Sequence, residues 1–268
     1  MTNIDPAAFR QFEHKGWQEV AVRYHDSFAP ITIQSVEPLL NAVHAGKNTR
    51  LLDVACGPGY VAAAAASRGA SAVGLDFSSE MVIEARRRHP GVEFVEGDAE
   101  RLALSDSSFD AVVFNFGMLH FAQPERALSE AHRVLKTGGR IGFTVWAAPD
   151  KAKGFSIILA AIQKHGDLNV PIPPGPPFFR FSDPEESKAV LRATGFSEPR
   201  VEEVPQTWKL SSPDELFNVM YHASVRNAAL LRAQKPEVLE SIRAEIRQEV
   251  ERYGSELPMP SVLASAIR

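Results

Sequence analysis

Apolar and polar positions alternate in blocks along the first half of the chain. Five short apolar runs predict strands: RLLDV, SAVGLD, VEFVEGD, DAVVFNF and RIGFTVW. Three stretches with the spacing of helices lie among them: YVAAAAASRG, SSEMVIEARRRH and PERALSEAHRVLK. We expect the last helix to stop at Gly138-Gly139 before the fifth strand. Strands and helices that take turns predict a parallel sheet with right-handed crossovers.

The second half of the chain is less regular. The stretch VPIPPGPPFFR is rich in proline, which cannot donate a backbone hydrogen bond, and we expect an ordered loop that forms part of a lid. DPEESKAVLRATG has an Asp cap and a terminal glycine and predicts a helix. PRVEEVPQTWKL predicts a strand pair or one long strand, and SPDELFNVMYHASVRNAALL and KPEVLESIRAEIRQEVERYG predict helices. The last apolar segment, MPSVLASAI, fits a strand that returns to the sheet.

Together these elements predict an α/β protein with a Rossmann-like, doubly wound, mostly parallel sheet of seven strands and a helical cap. We expect one domain over all 268 residues. Its parts would be an N-terminal cap segment (1–45), a ligand-binding core (46–147), a lid insertion (148–181) and a C-terminal part (182–268) with cap helices inserted at 212–254.

Composition and charge exclude several classes of partner. The formal net charge is −4 and no basic stripe stands out, which argues against a nucleic-acid partner and favours a small or neutral substrate. Cys56 is the single cysteine, so neither an internal disulfide nor a thiolate metal cluster is expected. No apolar run approaches the roughly 20 residues of a membrane-spanning helix, and the first residues lack a signal-peptide core. We therefore expect a cytoplasmic protein without a membrane span.

A glycine loop and three acidic residues follow the first three predicted strands. Asp53 precedes the turn Gly57-Pro58-Gly59, Asp76 ends the second strand, and Asp98 follows the third. Open sheets bind ligands at these strand ends, and glycine allows the backbone to approach a ligand closely. Asp76 could accept hydrogen bonds from both hydroxyls of a ribose, and Asp98 could accept one from an adenine amino group.

Five ordered motifs carry a resemblance to a known family: LLDVACGPG, VGLDFSSEMVIEA, VEFVEGDAERLAL, FDAVVFNFGMLHF and ALSEAHRVLKTGGRI. They cover roughly Trp17 to Trp146 and resemble the class I S-adenosylmethionine-dependent methyltransferases. The likeness is to the type 11 group, which includes ubiquinone and menaquinone biosynthesis enzymes. The resemblance implies S-adenosylmethionine as cofactor, S-adenosylhomocysteine as product and no metal.

Carried over residue by residue, the resemblance also implies where the cofactor binds. Gly57 and Gly59 would contact its methionine part with Asp53 near the amino group, Asp76 the ribose, Phe77 and Met81 the adenine faces, Asp98 and Ala99 the adenine edge, and Asn115 the sulfonium. Tyr24 matches a tyrosine in the N-terminal segment that folds over the cofactor in similar enzymes.

Two other functions fit parts of this pattern. The loop GPGYVA also satisfies a loose GxGxxA dinucleotide fingerprint, so an NAD(P)-dependent oxidoreductase is one alternative. A non-catalytic S-adenosylmethionine-binding module is another. Asp53, Asp98 and the absence of a Tyr-x-x-x-Lys pair favour in-line methyl transfer to a small-molecule acceptor. The acceptor atom, whether O, N, C or S, and the oligomeric state stay open.

His120 is the candidate general base, because a histidine near neutral pH is the usual proton acceptor for a hydroxyl or a protonated amine. It could instead hold its own loop. Aromatic residues of the divergent segments could line an acceptor pocket or only attach the cap to the core: Phe155, Phe178, Phe179, Trp208, Phe217 and Tyr221. His222 and Arg226, one turn apart on a predicted helix, could meet an acidic acceptor or face solvent.

Overall fold

A computed structural model describes residues 4–268. Its main sheet has seven strands: β1 (Arg50–Val54), β2 (Ser71–Asp76), β3 (Glu93–Glu96), β4 (Phe109–Asn115), β5 (Leu135–Trp146), β6 (Ser197–Val204) and β9 (Ser261–Ile267). A second, two-stranded sheet pairs β7 (Thr207–Lys209) with β8 (Glu256–Pro258).

The main sheet has the order β3-β2-β1-β4-β5-β9-β6. Its first five strands are parallel, and β9 runs antiparallel between β5 and β6. The order reverses between β1 and β4, which is the position where open α/β sheets form a ligand crevice. The prediction of a Rossmann-like, mostly parallel sheet of seven strands is confirmed, as is the return of the last segment to the sheet.

Helices cover both faces of the main sheet. They are α1 (Pro6–Ser27), α2 (Ala29–Thr32), α3 (Val36–Ala42), α4 (Tyr60–Ser67), α5 (Ser79–Arg88), α6 (Pro124–Val134), α7 (Lys153–His165), α8 (Pro184–Ala193), α9 (Glu215–His222), α10 (Arg226–Arg232) and α11 (Pro236–Tyr253). Short 3₁₀ turns lie at Ile33–Ser35, Met118–His120 and Arg180–Ser182. None of the helices in residues 4–268 is long and apolar enough to cross a membrane.

Polar caps explain where several helices begin. Asp5 accepts hydrogen bonds from the backbone of α1, Ser78 from Met81 in α5, and Asp183 from the first turn of α8. Such side chains satisfy amide groups that have no partner inside the helix. The caps fix the ends of the helices next to the strand ends, where the loops between them meet.

The core lies on both faces of β1 and β4. On one face, Leu52 and Phe114 pack in the larger cluster, and on the other Leu51 and Val113 pack with Leu39 of α3. All five side chains are inaccessible to solvent. Strands that are buried on both faces read as continuous apolar runs, which is why RLLDV and DAVVFNF were recognisable as strands.

Four details differ from the sequence-based expectation. The segment 148–181 is not all loop, because it contains α7, whose apolar residues are buried on one face while Gln163 and Lys164 are exposed on the other. Gly138 and Gly139 do not separate α6 from a strand, because β5 begins directly at Leu135 and both glycines lie within it, where they exchange backbone hydrogen bonds with Arg268.

The other two differences are breaks. The predicted helix over 212–231 is split into α9, which ends at His222, and α10, which begins at Arg226, and at the break the Ser224 hydroxyl accepts a hydrogen bond from the Ala228 amide. PRVEEVPQTWKL forms two strands, as one of its two predicted alternatives requires, but the strands do not pair with each other, because the chain divides at Pro205 between β6 in the main sheet and β7 in the small one. Proline lacks the N–H that a ladder requires at that point.

Gly59 provides a stability test of how α4 packs on the sheet. Its φ is +86°, and a Cβ there would lie 2.5 Å from Phe94 Cζ, so Gly59→Ala combines a left-handed backbone with a steric clash. We expect a loss of about 2–4 kcal/mol in the free energy of unfolding, measured by urea denaturation. Gly138→Ala is the matched control, because its φ is +77° with nothing within 4 Å, and it should lose only about 1 kcal/mol. Equal losses would show that the contact with Phe94 is unimportant.

Candidate functional site

A large cleft opens at the carboxyl ends of β1, β2 and β4, beneath α1 and the start of α10. It encloses about 1090 Å³ of empty space, open solvent included. Towards β2 and β3 its lining includes Gly57, Asp76, Phe77, Met81, Asp98 and Ala99. Towards β4 and β5 its lining includes Phe28, Asn115, Phe116, Trp146, Phe155 and Phe178.

Asp76, at the end of β2, organises the floor of the cleft. One carboxylate oxygen accepts from Gly57 N at 2.8 Å and the other from Ser78 N at 2.9 Å. The side chain is buried, and this burial raises the pKa of Asp76 to about 6, although the backbone donors oppose the shift. Each oxygen can accept one more hydrogen bond, so the carboxylate can receive two hydroxyl groups from a ligand.

The two glycines of the loop after β1 have different surroundings. Gly57 lines the cleft with a φ of +51°, a backbone conformation that favours glycine. Gly59 does not line the cleft but faces Phe94 and Ala85, so its missing side chain makes room for the packing of the core. The structure therefore brings Gly57 to the cleft and gives Gly59 a place beneath it.

Asp53, the acid before the loop, is also absent from the cleft lining. Its side chain is inaccessible, one oxygen accepts from Ala62 N at 3.0 Å, and the other has no hydrogen-bond partner in the described part of the chain. Burial, with a smaller contribution from the nearby Asp76, raises the pKa of Asp53 to about 8. Near neutral pH the group is therefore mainly protonated and supports the start of α4.

Towards β2 and β3, the cleft is lined by the residues that the resemblance assigns to an adenine ring. Phe77 and Met81 line it from the loop and first turn after β2, and Phe77 meets the His14 ring edge-on at 5.3 Å between centroids. Asp98 accepts from Glu100 N at 2.8 Å and lies 3.6 Å from Arg10. Ala99 lies beside it in the lining. This end combines apolar surface with a partly exposed carboxylate.

Asn115 and Tyr24 lie at the middle of the cleft. The Asn115 amide is held on three sides, since its oxygen accepts from Ser35 and Thr144 and its nitrogen donates to the Thr32 carbonyl. The Tyr24 hydroxyl donates to Thr32 Oγ1 at 3.2 Å, and burial raises the pKa of Tyr24 to about 12. Both side chains are fixed and face the space between the two ends.

His120 ends the 3₁₀ turn after β4 and lines the same cleft. Its Nδ1 lies 3.0 Å from Glu13 Oε2, and its ring is met edge-on by Trp17 and Phe178. Within residues 4–268, Nε2 makes no hydrogen bond to protein. The side chain thus contacts α1 instead of capping its own turn, and one ring nitrogen is left for a ligand.

Of the residues that α1 brings to the cleft or its surroundings, the sequence predicted Tyr24 but not Arg10, Glu13 and Trp17. Glu13 is inaccessible to solvent, and Trp17 and Arg10 both line the cleft. A readable signal exists, because Phe9, Glu13 and Trp17 recur every four residues and so place a carboxylate among aromatic residues on one helix face.

The expectation for His222 and Arg226 is wrong, because the two residues lie on different helices, α9 and α10. The Arg226 guanidinium is already bound, to Glu13 at 2.8 Å and to the carbonyl oxygens of Leu119 and Pro176 at 2.8 and 3.0 Å. It also lies over the ring of Phe9. Arg226 is therefore not available to pair with an acidic acceptor.

The six aromatic residues of the divergent segments separate into two groups. Phe155 and Phe178 line the cleft. The others pack outside it, as Trp208 does against Phe28, and they attach the cap to the core: Phe179, Trp208, Phe217 and Tyr221. The described residues include no group of three or more His, Cys, Asp or Glu side chains that could hold a metal ion.

This geometry defines a class of protein: a doubly wound α/β domain with a cleft at its strand ends, lined on one side by Asp76 and Asp98 and on the other by an aromatic chamber of four rings, Phe116, Trp146, Phe155 and Phe178. Residues 52–143 match the methyltransferase domain family. Over the core of the chain, the resemblance to class I S-adenosylmethionine-dependent methyltransferases of the type 11 group is confirmed.

One relative shares sequence with this chain over the same core region. A demethylmenaquinone methyltransferase of Renibacterium salmoninarum is 40% identical over 111 residues, which are 41% of this chain and 47% of that protein. The matched segment thus spans about half of the relative's length.

Two solved structures share the fold. One is a phosphoethanolamine N-methyltransferase 2 of Haemonchus contortus, in complex with phosphomonomethylethanolamine and S-adenosylhomocysteine, with a TM-score of 0.53 and 18% identity over 87% of this chain and 52% of that one. The other is the [4+2]-cyclase SpnF, with a TM-score of 0.54 and 22% identity over 88% of this chain and 81% of that one.

The raised pKa of Asp53 predicts a pH dependence of stability. Because its pKa is raised from 3.8 to about 8, the stability associated with its protonated form is present at low pH and is lost as the pH rises through about 8. Asp53→Asn removes the titration and keeps an oxygen for Ala62, so the variant should gain stability relative to the native chain between pH 5 and pH 9. Urea unfolding at several pH values measures this gain. Asp26→Asn, at the surface, should run parallel to the native chain, and a parallel profile for Asp53→Asn would contradict the assignment.

Proposed function

We propose that this protein transfers the methyl group of S-adenosylmethionine to a small, mainly apolar acceptor. The observation that carries the proposal is that one cleft contains both the end lined by Asp76 and the aromatic chamber, with His120 between them. One end suits a nucleoside and the other an apolar molecule, so a donor and an acceptor could lie side by side. The match of residues 52–143 to a methyltransferase domain supports the same reaction.

The residues at the strand ends fit the donor. Asp76 would accept the two ribose hydroxyls, Phe77 and Met81 would cover the adenine faces, and Asp98 with Ala99 would meet the adenine edge. Gly57 would allow the methionine part close to the backbone, and Asn115 and Tyr24 would lie nearest the sulfonium. Asp53 and Gly59 would act from beneath, through the conformation of the loop, since neither lines the cleft.

The donor supplies an already activated methyl group, so the protein's contribution is mainly orientation and exclusion of water. In an in-line displacement, the bond from the acceptor atom to the methyl carbon forms as the bond from that carbon to sulfur breaks. An acceptor that carries a proton on the attacking atom would pass it to Nε2 of His120. His120 thus takes the role of general base for a hydroxyl, an acidic carbon or a protonated amine.

The side chains of the aromatic chamber restrict the kind of acceptor that fits. Phe116, Trp146, Phe155 and Phe178 form an apolar wall, and Arg226 is neutralised by Glu13. A flat, uncharged molecule fits such a wall better than an anion does. The name of the Renibacterium relative makes a reduced quinone the first candidate to test. The fold alone does not decide the chemistry, because a cyclase shares it.

Donor binding tests the first half of the proposal. We expect S-adenosylmethionine, and not NAD(P)H, to raise the melting temperature, and Asp76→Asn to weaken the donor about 10- to 100-fold, because a charged acceptor of two hydroxyls is lost. Since the pKa of Asp76 is about 6, donor affinity should also fall as the pH drops below 6 in the native chain but not in the variant. Calorimetric titration measures both effects. Stabilisation by NAD(P)H alone would instead identify an oxidoreductase.

Turnover tests the second half. We expect formation of S-adenosylhomocysteine with a panel of quinols, phenols and amines, and we expect His120→Asn to lower kcat about 10²-fold while donor affinity changes little. Chromatography of the product nucleoside gives the rate. Phe179→Leu, outside the cleft, serves as the control. If His120→Asn has the same kcat as the native chain, His120 is not the general base. Tight donor binding without turnover on any acceptor would favour a non-catalytic binding module.

A further inference from the structure

We propose that Glu13 is a positioning residue that holds the ring of His120 and determines which of its nitrogens is free to take a proton. Its catalytic meaning rests on the function proposed above, but the arrangement itself can be tested without an acceptor. Glu13 lies on α1, His120 on the turn after β4, and Arg226 at the start of α10, so three distant segments converge on one carboxylate.

The Glu13 carboxylate is buried and fully engaged. Oε2 accepts from Trp17 Nε1 at 3.1 Å and lies 3.0 Å from His120 Nδ1, while Oε1 accepts from Arg226 Nε at 2.8 Å. Burial alone would raise the pKa of Glu13, but the charges and hydrogen bonds of His120 and Arg226 together lower it. The group is thus a carboxylate at neutral pH.

An ionised carboxylate can only accept hydrogen bonds, so the nitrogen that faces it must carry a proton. His120 therefore holds its proton on Nδ1, and in the neutral ring the lone pair lies on Nε2. Nε2 has no protein partner among the described residues, and the ring lines the cleft. The contact with Glu13 thus prepares Nε2 as a proton acceptor, and the edge contacts of Trp17 and Phe178 fix the plane of the ring.

Arg226 balances the pair. If Glu13 faced His120 alone, its full charge would favour the protonated ring, which cannot act as a base. The guanidinium on the other oxygen reduces that attraction, and carbonyl oxygens of Leu119 and Pro176 hold it in place. The other charged groups that line the cleft lie at its nucleoside end: Arg10, Asp76, Asp98 and Glu100. Arg10 forms ion pairs with Asp98 and Glu100. The charged groups that act on the His120 ring are therefore Glu13, which contacts it, and Arg226, which pairs with Glu13.

The test is a pH titration of the ring nitrogens by ¹⁵N NMR, with and without S-adenosylhomocysteine. The chain has 8 histidines, and the spectrum of His120→Asn identifies the signals of His120. In the native chain the neutral ring should show a proton on Nδ1. In Glu13→Gln the titration midpoint of His120 should move to lower pH by about one unit, because the attraction is lost and Arg226 is uncompensated. In Arg226→Met it should move to higher pH by a similar amount.

Opposite shifts from the two variants, together with a proton on Nδ1 in the native chain, are the signature of the proposal, because the loss of a nearby charge moves the midpoint whether or not that charge orients the ring, whereas the proton on Nδ1 reports the contact with Glu13 itself. Gln18→Ala is the matched control. It removes a different attachment of α1, to Ser78 and Glu80, without touching His120, and should leave the midpoint unchanged. A proton on Nε2 in the native chain, or unshifted midpoints in both variants, would overturn the proposal.

Folding of the variants is checked by circular dichroism, since the removal of one partner of a buried pair is destabilising. If Glu13→Gln does not fold, the shift in Arg226→Met decides. With any acceptor that is turned over, Glu13→Gln should lower kcat about 10- to 100-fold with an unchanged KM for the donor. If no acceptor is methylated, the NMR result for the free protein still stands, so failure of this proposal can be told apart from failure of the proposed function.

Discussion

The parallel pairing of β1 between β2 and β4 is the constraint on which the site depends. Leu52 of β1 pairs with Val73 on one side and Val112 on the other, so the carboxyl ends of all three strands lie at one edge of the sheet. The loops that follow them have no alternative but to meet there. A Cβ at Gly74 would lie 2.4 Å from Phe94, which shows how closely β2 is packed beneath that edge. The cleft is a consequence of this register, and Asp76 and the turn that carries His120 are placed in it by the same strands.

Three buried carboxyl groups near this edge have different states because they have different numbers of partners. Asp53 has one backbone donor, and its pKa rises to about 8. Asp76 has two backbone donors at its oxygens, and its pKa rises only to about 6. Glu13 has His120, Arg226 and Trp17, and its pKa is lowered. Equal burial thus gives a neutral structural acid, a group poised near neutrality and a permanent anion, according to how well each charge is compensated.

The sequence predicted what depends on neighbours along the chain. The apolar runs of β1 to β5, the glycine loop and Asp76 are local features, and the structure contains them at the predicted places. Helix α7 was missed although its buried apolar residues recur at helical spacing, because the proline-rich stretch that follows it predicts a loop. Groups whose role depends on distant packing were missed for a physical reason. Glu13 acquires its meaning only from His120 and Arg226, which lie 107 and 213 residues away in the chain.

Helix α1 contacts both ends of the cleft. Through Arg10 and Gln18, α1 contacts Glu100 and the loop after β2, and through Glu13 it contacts His120. The strand ends therefore supply one part of the cleft lining, whereas the contact that orients the His120 ring comes from α1. This division explains how one core can serve different reactions: the motifs at the strand ends are shared, and the segments laid over them supply the groups that act on the second molecule. In this chain, the imidazole of His120 belongs to a core motif, and segments that the core motifs do not specify bring the carboxylate of Glu13 and the ring of Phe178 to it.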